Sequence, residues 1–227
     1  MTIHRPGLPG DLPEAALLWA RWGLLAVLEA SAEEEELAFV HRTGNWIDDG
    51  GLHLDDCGST CWTLARLGEG RFVLYGEDES SGVKWHKPPI DMLSGAPDWL
   101  PFDTLHDLIE GYELGCVYWY ENGAWARAPY PESLDDDGLD CGMSRFVDRS
   151  DVLDALDLGQ DGPLDPAAVV DRAERHDLTA ELLESLVAGS EYDHWDLPAM
   201  LRALHRTGLT GLGVPVVDEE SHTAVVR

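Results

Sequence analysis

Asn122-Gly123 sits between two apolar runs, and no other dipeptide constrains the fold of this chain as tightly. A two-residue hairpin loop needs positive φ at both central positions, which Asn and Gly adopt at low steric cost. The turn predicts the cross-strand pairs Glu121/Ala124, Tyr120/Trp125, Trp119/Ala126 and Tyr118/Arg127. Side chains alternate across a strand, so Val117, Trp119, Ala126 and Ala128 share one face, which reads as core. Tyr118, Tyr120, Trp125 and Arg127 share the other, an aromatic patch with an Arg able to stack on Tyr118. That face is a candidate interaction surface, since interfaces favour Trp, Tyr and Arg. The wider set of Trp85, Trp99 and Trp195 could extend it. The plainer alternative is that these rings pack in the core.

A second hairpin is expected over 61–67 and 71–76. Gly68-Glu69-Gly70 between them suits a type I turn followed by a bulge. In that register Trp62, Leu64, Phe72 and Leu74 share one face, and Thr63, Ala65, Val73 and Tyr75 the other. Two largely apolar faces place these strands centrally in a sheet. Leu52 to Leu54 and Val83 to His86 are candidate neighbours. Residues 88–101, rich in Pro and Gly, read as a loop, after which Asp103 can cap a helix carrying Leu105, Leu108, Ile109 and Tyr112.

Helices are expected at both ends. Residues 15–28 are apolar nearly all round apart from Arg21, the pattern of a helix covered by other elements. Asp11 with Glu14 three positions on resembles a capping box for it. Arg21 within the stretch and Asp11 and Glu14 before it argue against a signal peptide. The stretch is also too short to span a bilayer. Glu33 to Glu36 read as a solvated helix end or the start of a second helix. Ser150 can cap a short helix to about Leu158. Asp165-Pro166 and Asp196 with Pro198 mark two further helix starts, Gly189 and Gly208 two helix ends. The Val-rich tail after Gly211 could add an edge strand at 214–217. The expected class is α+β: a central antiparallel sheet over about 46–128, an N-terminal helix packed on it, and a C-terminal helical subdomain. The acidic stretch 129–142 suggests a boundary, giving a core domain at 1–142 and a helical subdomain at 143–227.

The chain carries 44 Asp+Glu against 15 Lys+Arg, a formal net charge of -29. The excess is spread evenly, with 21 acids and 7 bases in residues 1–113 and 23 and 8 in 114–227. Nucleic acid and anionic lipid are poor partners for such a body, because both need clustered Lys and Arg. The charge fits solubility, a high-salt cytoplasm or a basic protein partner steered in by the field. The densest acid runs through 132–165, and Asp135, Asp136 and Asp137 beside the aromatic hairpin are candidate contacts for that partner.

His53, Asp55, Asp56, Cys57 and Cys61 form the most metal-like cluster. Cys57-x3-Cys61 near His53 supplies ligands that zinc accepts, though the spacing matches no standard finger. The alternative is structural, since free Cys is commonly buried. Asp135, Asp137 and Gly138 match part of a calcium loop, but Ser133 and Ser144 occupy positions that need acids. Glu77-Asp78-Glu79 follows a strand end, where catalytic carboxylates can sit; with 44 acids, chance places some there. Phosphate-binding, dinucleotide, serine-hydrolase and zinc-protease motifs are all absent. No cofactor is expected.

An acidic α+β chain with a Tyr118-Trp119-Tyr120-Glu121-Asn122-Gly123-Ala124-Trp125 hairpin has the general look of bacterial toxin-neutralising immunity proteins, and no motif assigns it to one such family. The expected function is a non-enzymatic cytoplasmic protein-binding module, regulatory or immunity-like, with a basic protein as partner. Two alternatives remain open: a metal-dependent enzyme using the His53–Cys61 region, and a small-molecule sensor with the aromatic face as a pocket wall.

Overall fold

The computed structural model describes residues 2–31, 42–156, 164–189 and 195–211. Six strands form one antiparallel meander in sequence order: β1 Gly44–Asp48, β2 Gly51–Asp55, β3 Thr60–Arg66, β4 Phe72–Asp78, β5 Cys116–Glu121 and β6 Ala124–Arg127. Seven α-helices accompany it among the described residues. They are α1 Ala15–Leu28, α2 Phe102–Glu110, α3 Leu139–Val147, α4 Arg149–Ala155, α5 Pro166–Glu174, α6 Ala180–Gly189 and α7 Leu197–Thr207. The class is α+β, with the N-terminal helix on the sheet and helices at the C-terminal end, as the patterning predicts.

The Asn122-Gly123 hairpin has the expected register at all four pairs. Both turn residues take positive φ, 55° and 83°. The β3–β4 register also matches, with Leu64 opposite Leu74 and Thr63 opposite Tyr75. Its turn differs from the expected one. Gly68, Glu69 and Gly70 all have positive φ, and the Arg71 amide donates to the Gly68 carbonyl, so the tight turn is left-handed throughout. Val83 to His86 form a turn and not a strand. Pro88 and Pro89 follow directly, and Pro cannot donate to a ladder.

Both sheet faces are covered, by different means. Leu52, Leu54, Trp62, Leu64, Leu74 and Tyr118 face α1 and the C-terminal helices. Ala65, Val73, Val117 and Trp119 face the long β4–β5 connection, whose Val83, Met92, Leu93, Leu100, Leu105 and Leu114 form a second core. Helix α1 is buried on nearly every side because it lies between the sheet and helices α3, α5 and α7. Trp22 is fully buried and stacks on Phe146 at 4.6 Å. Burying a side chain of that kind contributes about 1.5–3 kcal/mol. Arg21, the polar exception in α1, donates from Nε to Glu174 Oε1 at 2.8 Å, and Glu174 also accepts from Arg149. A charge buried this far needs such partners.

Helix α1 begins at Ala15, after Glu14 and not at Asp11. Asp11 ends a short 3-10 turn, and its carboxylate accepts from the His4 and Leu8 amides and lies 2.6 Å from His4 Nδ1. Pro13 separates that turn from the helix. Asp148 caps α4 in place of Ser150, whose amide it binds, and Pro101 precedes α2 where Asp103 was the expected cap. Asp165 and Asp196 cap α5 and α7 as expected, and Gly208 closes α7 in the left-handed conformation. Position 142/143, the expected boundary, lies within α3, and the helix-side core draws on residues from both sides of it. Glu33 to Glu36 and the tail after Gly211 fall outside the described residues. Among the described residues no helix is long and apolar enough to cross a membrane.

Candidate functional site

The aromatic face of the β5–β6 hairpin points into the helix-side core. Tyr118 is fully buried, and Tyr120 and Trp125 are 7% and 8% exposed. The N-terminal segment lies over them: Trp125 Nε1 donates to the Pro13 carbonyl and Tyr118 Oη to Gly7. Tyr120 and Trp125 line a groove of about 420 Å³ beside Pro9 and Glu14. Arg127 stacks on Tyr130 at 3.8 Å, not on Tyr118, and its Nε donates to the Gly7 carbonyl. Core packing therefore describes most of this set.

The three acids beside the hairpin separate by role. Asp135 is exposed and Asp136 half-buried, with a long ion pair to Arg5 at 3.7 Å. Asp137 is fully buried. Its carboxylate accepts from Tyr118 Oη at 2.7 Å and the Gly7 amide at 2.8 Å. It is a strut between the N-terminal segment and the sheet, and it has no surface to offer a partner.

The His53–Cys61 cluster does not converge. His53 Nε2 lies 2.7 Å from Asp48 Oδ1 and Nδ1 lies 3.0 Å from Thr63 Oγ1. Burial raises the Asp48 carboxyl, but bonding and charge from His53 outweigh it and hold the acid below its ordinary range. Both ring nitrogens of His53 are thus engaged by neighbouring side chains within the sheet. Cys57 is exposed on a turn, and the Asp55 and Asp56 carboxylates cap backbone amides around it. Burial, then Asp55, Glu77 and Asp56, push the Cys61 thiol up to about 12. Among the described residues no three His, Cys, Asp or Glu side chains converge on a metal site. Asp78 is also structural, buried and accepting from Thr60 Oγ1 and the Ser80 amide.

The surface stands out elsewhere. Trp85 and Tyr112 are 67% and 61% exposed, the two largest exposures of big apolar side chains among the described residues. They stack on each other at 5.7 Å with 17° between ring planes. Trp85 comes from the turn after β4, Tyr112 from the end of α2. Lys84 fastens the two: its ammonium bonds Glu77, donates to the Tyr112 carbonyl at 2.9 Å, and lies 6.0 Å from the Trp85 ring centre. Tyr112 has φ +59°, the left-handed conformation that usually goes to Gly just beyond a helix end. Holding a non-Gly residue in such a region costs about 1–3 kcal/mol. The strained residue is also an exposed aromatic one.

A cleft of about 230 Å³ opens next to the pair, between the β2–β4 face and α2. Asp55, Cys61, Thr63, Tyr75, Glu77, Leu108 and Glu113 line it. Glu110 and Glu113 flank Tyr112 and are exposed. The aromatic pair therefore stands in a carboxylate setting with Lys84 as its near cation. Trp85 belongs to the aromatic set that the sequence singles out and stands between Lys84 and His86; Tyr112 continues the Leu105, Leu108, Ile109 helix period, so no sequence signal sets it apart. Comparison with protein-family models, characterised proteins and solved structures finds no match for this chain.

Proposed function

We propose that this chain is a non-enzymatic protein-binding module, regulatory or immunity-like, that captures a basic protein in the cytoplasm. The exposed Trp85–Tyr112 stack carries the reading. Large aromatics at the centre of an interface supply most of its binding energy, and here two are presented together at a cost in backbone strain. The net charge of -29 supports a basic partner through steering and complementarity. The four cysteines are free thiols, which suits a reducing compartment.

The test compares capture of a partner by wild type, Trp85→Ala and Tyr112→Gly at low and high salt. Trp85→Ala should weaken binding by about 2 kcal/mol or more, the scale of a hot-spot residue. Tyr112→Gly removes the ring and relieves the backbone, so its melting temperature should hold or rise while binding falls. No salt-sensitive partner, or capture indifferent to both substitutions, would sink the proposal.

A further inference from the structure

The chemistry of the site narrows what the partner brings to it. We propose that the Trp85–Tyr112 platform receives an arginine side chain of the basic partner, with its guanidinium lying on the exposed rings and forking onto Glu113. The inference rests on the protein-binding reading and names the group that the site takes.

Four observations converge on it. The rings of Trp85 and Tyr112 are within 17° of parallel and both are open to solvent, so a flat group can extend the stack. Guanidinium is planar, weakly hydrated and attracted to the ring face, whereas ammonium is a hydrated point charge. Glu113 follows Tyr112 directly and lines the adjoining cleft, and no basic side chain pairs with it among the described residues. Glu77, by contrast, is already taken by Lys84. The cleft, at about 230 Å³, is smaller than the usual small-molecule pocket and accommodates one long side chain along Leu108. Finally, the charge is complementary. The chain has 44 acids for 15 Lys+Arg, so its field favours the approach of a cationic side chain.

Arginine meets both demands of the site at once, stacking and a two-pronged carboxylate bond. Lysine offers Glu113 only a point charge and has no planar group to lay on the rings. The platform should therefore rank cations by shape as well as charge.

The experiment uses the full chain and three blocked amino acids as probes: N-acetyl-arginine methylamide, its lysine counterpart and its citrulline counterpart. Binding is read from the Trp85 indole N–H resonance and the Leu108 methyl resonances. The arginine probe should shift both, lysine should bind several-fold more weakly, and citrulline, which keeps the shape without the charge, should not bind. Glu113→Gln should weaken the arginine probe about tenfold, the scale of one charge-assisted hydrogen bond, without shifting the melting temperature. Equal ranking of lysine and arginine, binding of citrulline, or shifts scattered away from Trp85 would each overturn the arginine assignment. Those outcomes with Trp85-dependent capture of a whole partner would remove the arginine and leave the protein-binding reading standing. Partner capture that ignores Trp85 and Tyr112 would remove that reading, whatever the probes do.

Discussion

At the scale of single residues, a few buried carboxylates are committed to holding the fold. Asp137 holds the N-terminal segment through Tyr118 and Gly7. Tyr118→Phe removes one donor from a carboxylate with no access to water, and should cost about 1–3 kcal/mol in urea denaturation. Asp78 sets a pH dependence. Burial raises its carboxyl, but bonds from Ser80 and Thr60 outweigh burial and hold it below its ordinary value. A depressed folded-state pKa stabilises the fold above the unfolded value of about 4, and that contribution is lost as pH falls through the folded one. Wild type should therefore lose stability on acidification below about pH 4 more steeply than Asp78→Asn. Relief of general repulsion is common to both proteins and cancels in the comparison. Parallel urea-midpoint curves for the two would contradict the assignment. Cys61, raised to about 12, carries almost no thiolate at neutral pH, so iodoacetamide should label exposed Cys57 well before it.

At the scale of elements, the sheet rests on register and the helix layer on close approach. Helix α3 crosses β3 at Gly142, where a Cβ would lie 2.2 Å from Trp62 Nε1. Gly→Ala inside a helix ordinarily stabilises by up to about 1 kcal/mol. Here overpacking against a fully buried ring should reverse the sign, and Gly142→Ala should destabilise by about 1–3 kcal/mol in thermal or chemical unfolding. Much of the element level was legible in advance. Asn122-Gly123, Asp165-Pro166 and Gly208 carry their instructions in their own backbone preferences, so they mean the same in any surroundings. Asp11 and Ser150 misled for the complementary reason. Each is a competent cap, but a neighbour offered the backbone a better solution, Pro13 in one case and Asp148 in the other. The glycines at 68 and 70 announced a tight turn, while the handedness of all three residues depended on closing β3 onto β4.

At the scale of the whole molecule, charge and continuity decide behaviour. A body carrying -29 repels itself when folded, and salt screens that repulsion. The melting temperature of the free protein should rise with sodium chloride from low to physiological ionic strength, while association with a basic partner slows over the same range. A flat or falling melting temperature would mean that local ion pairs such as Arg21–Glu174–Arg149 outweigh the global field. The expected boundary at 142 bears on autonomy. Cutting there severs α3 and strips α1 of Phe146, Val170 and Met200, all fully buried in one core. A 1–142 fragment should lack the dispersed amide spectrum of a folded protein.

The sequence by itself determined the class, the registers of the β3–β4 and β5–β6 hairpins, the bounds of the last helices and the acidic character, because each follows from local backbone preference, side-chain alternation or a count. It could not determine which surface is available. Tyr118, Tyr120 and Trp125 have the composition of an interface and lie in the core, since the N-terminal segment folds over them. Trp85 and Tyr112, 27 positions apart, meet only because the long β4–β5 connection returns α2 to the turn after β4. Alternation tells which side chains share a face; what covers that face is a long-range property, decided when the chain closes on itself.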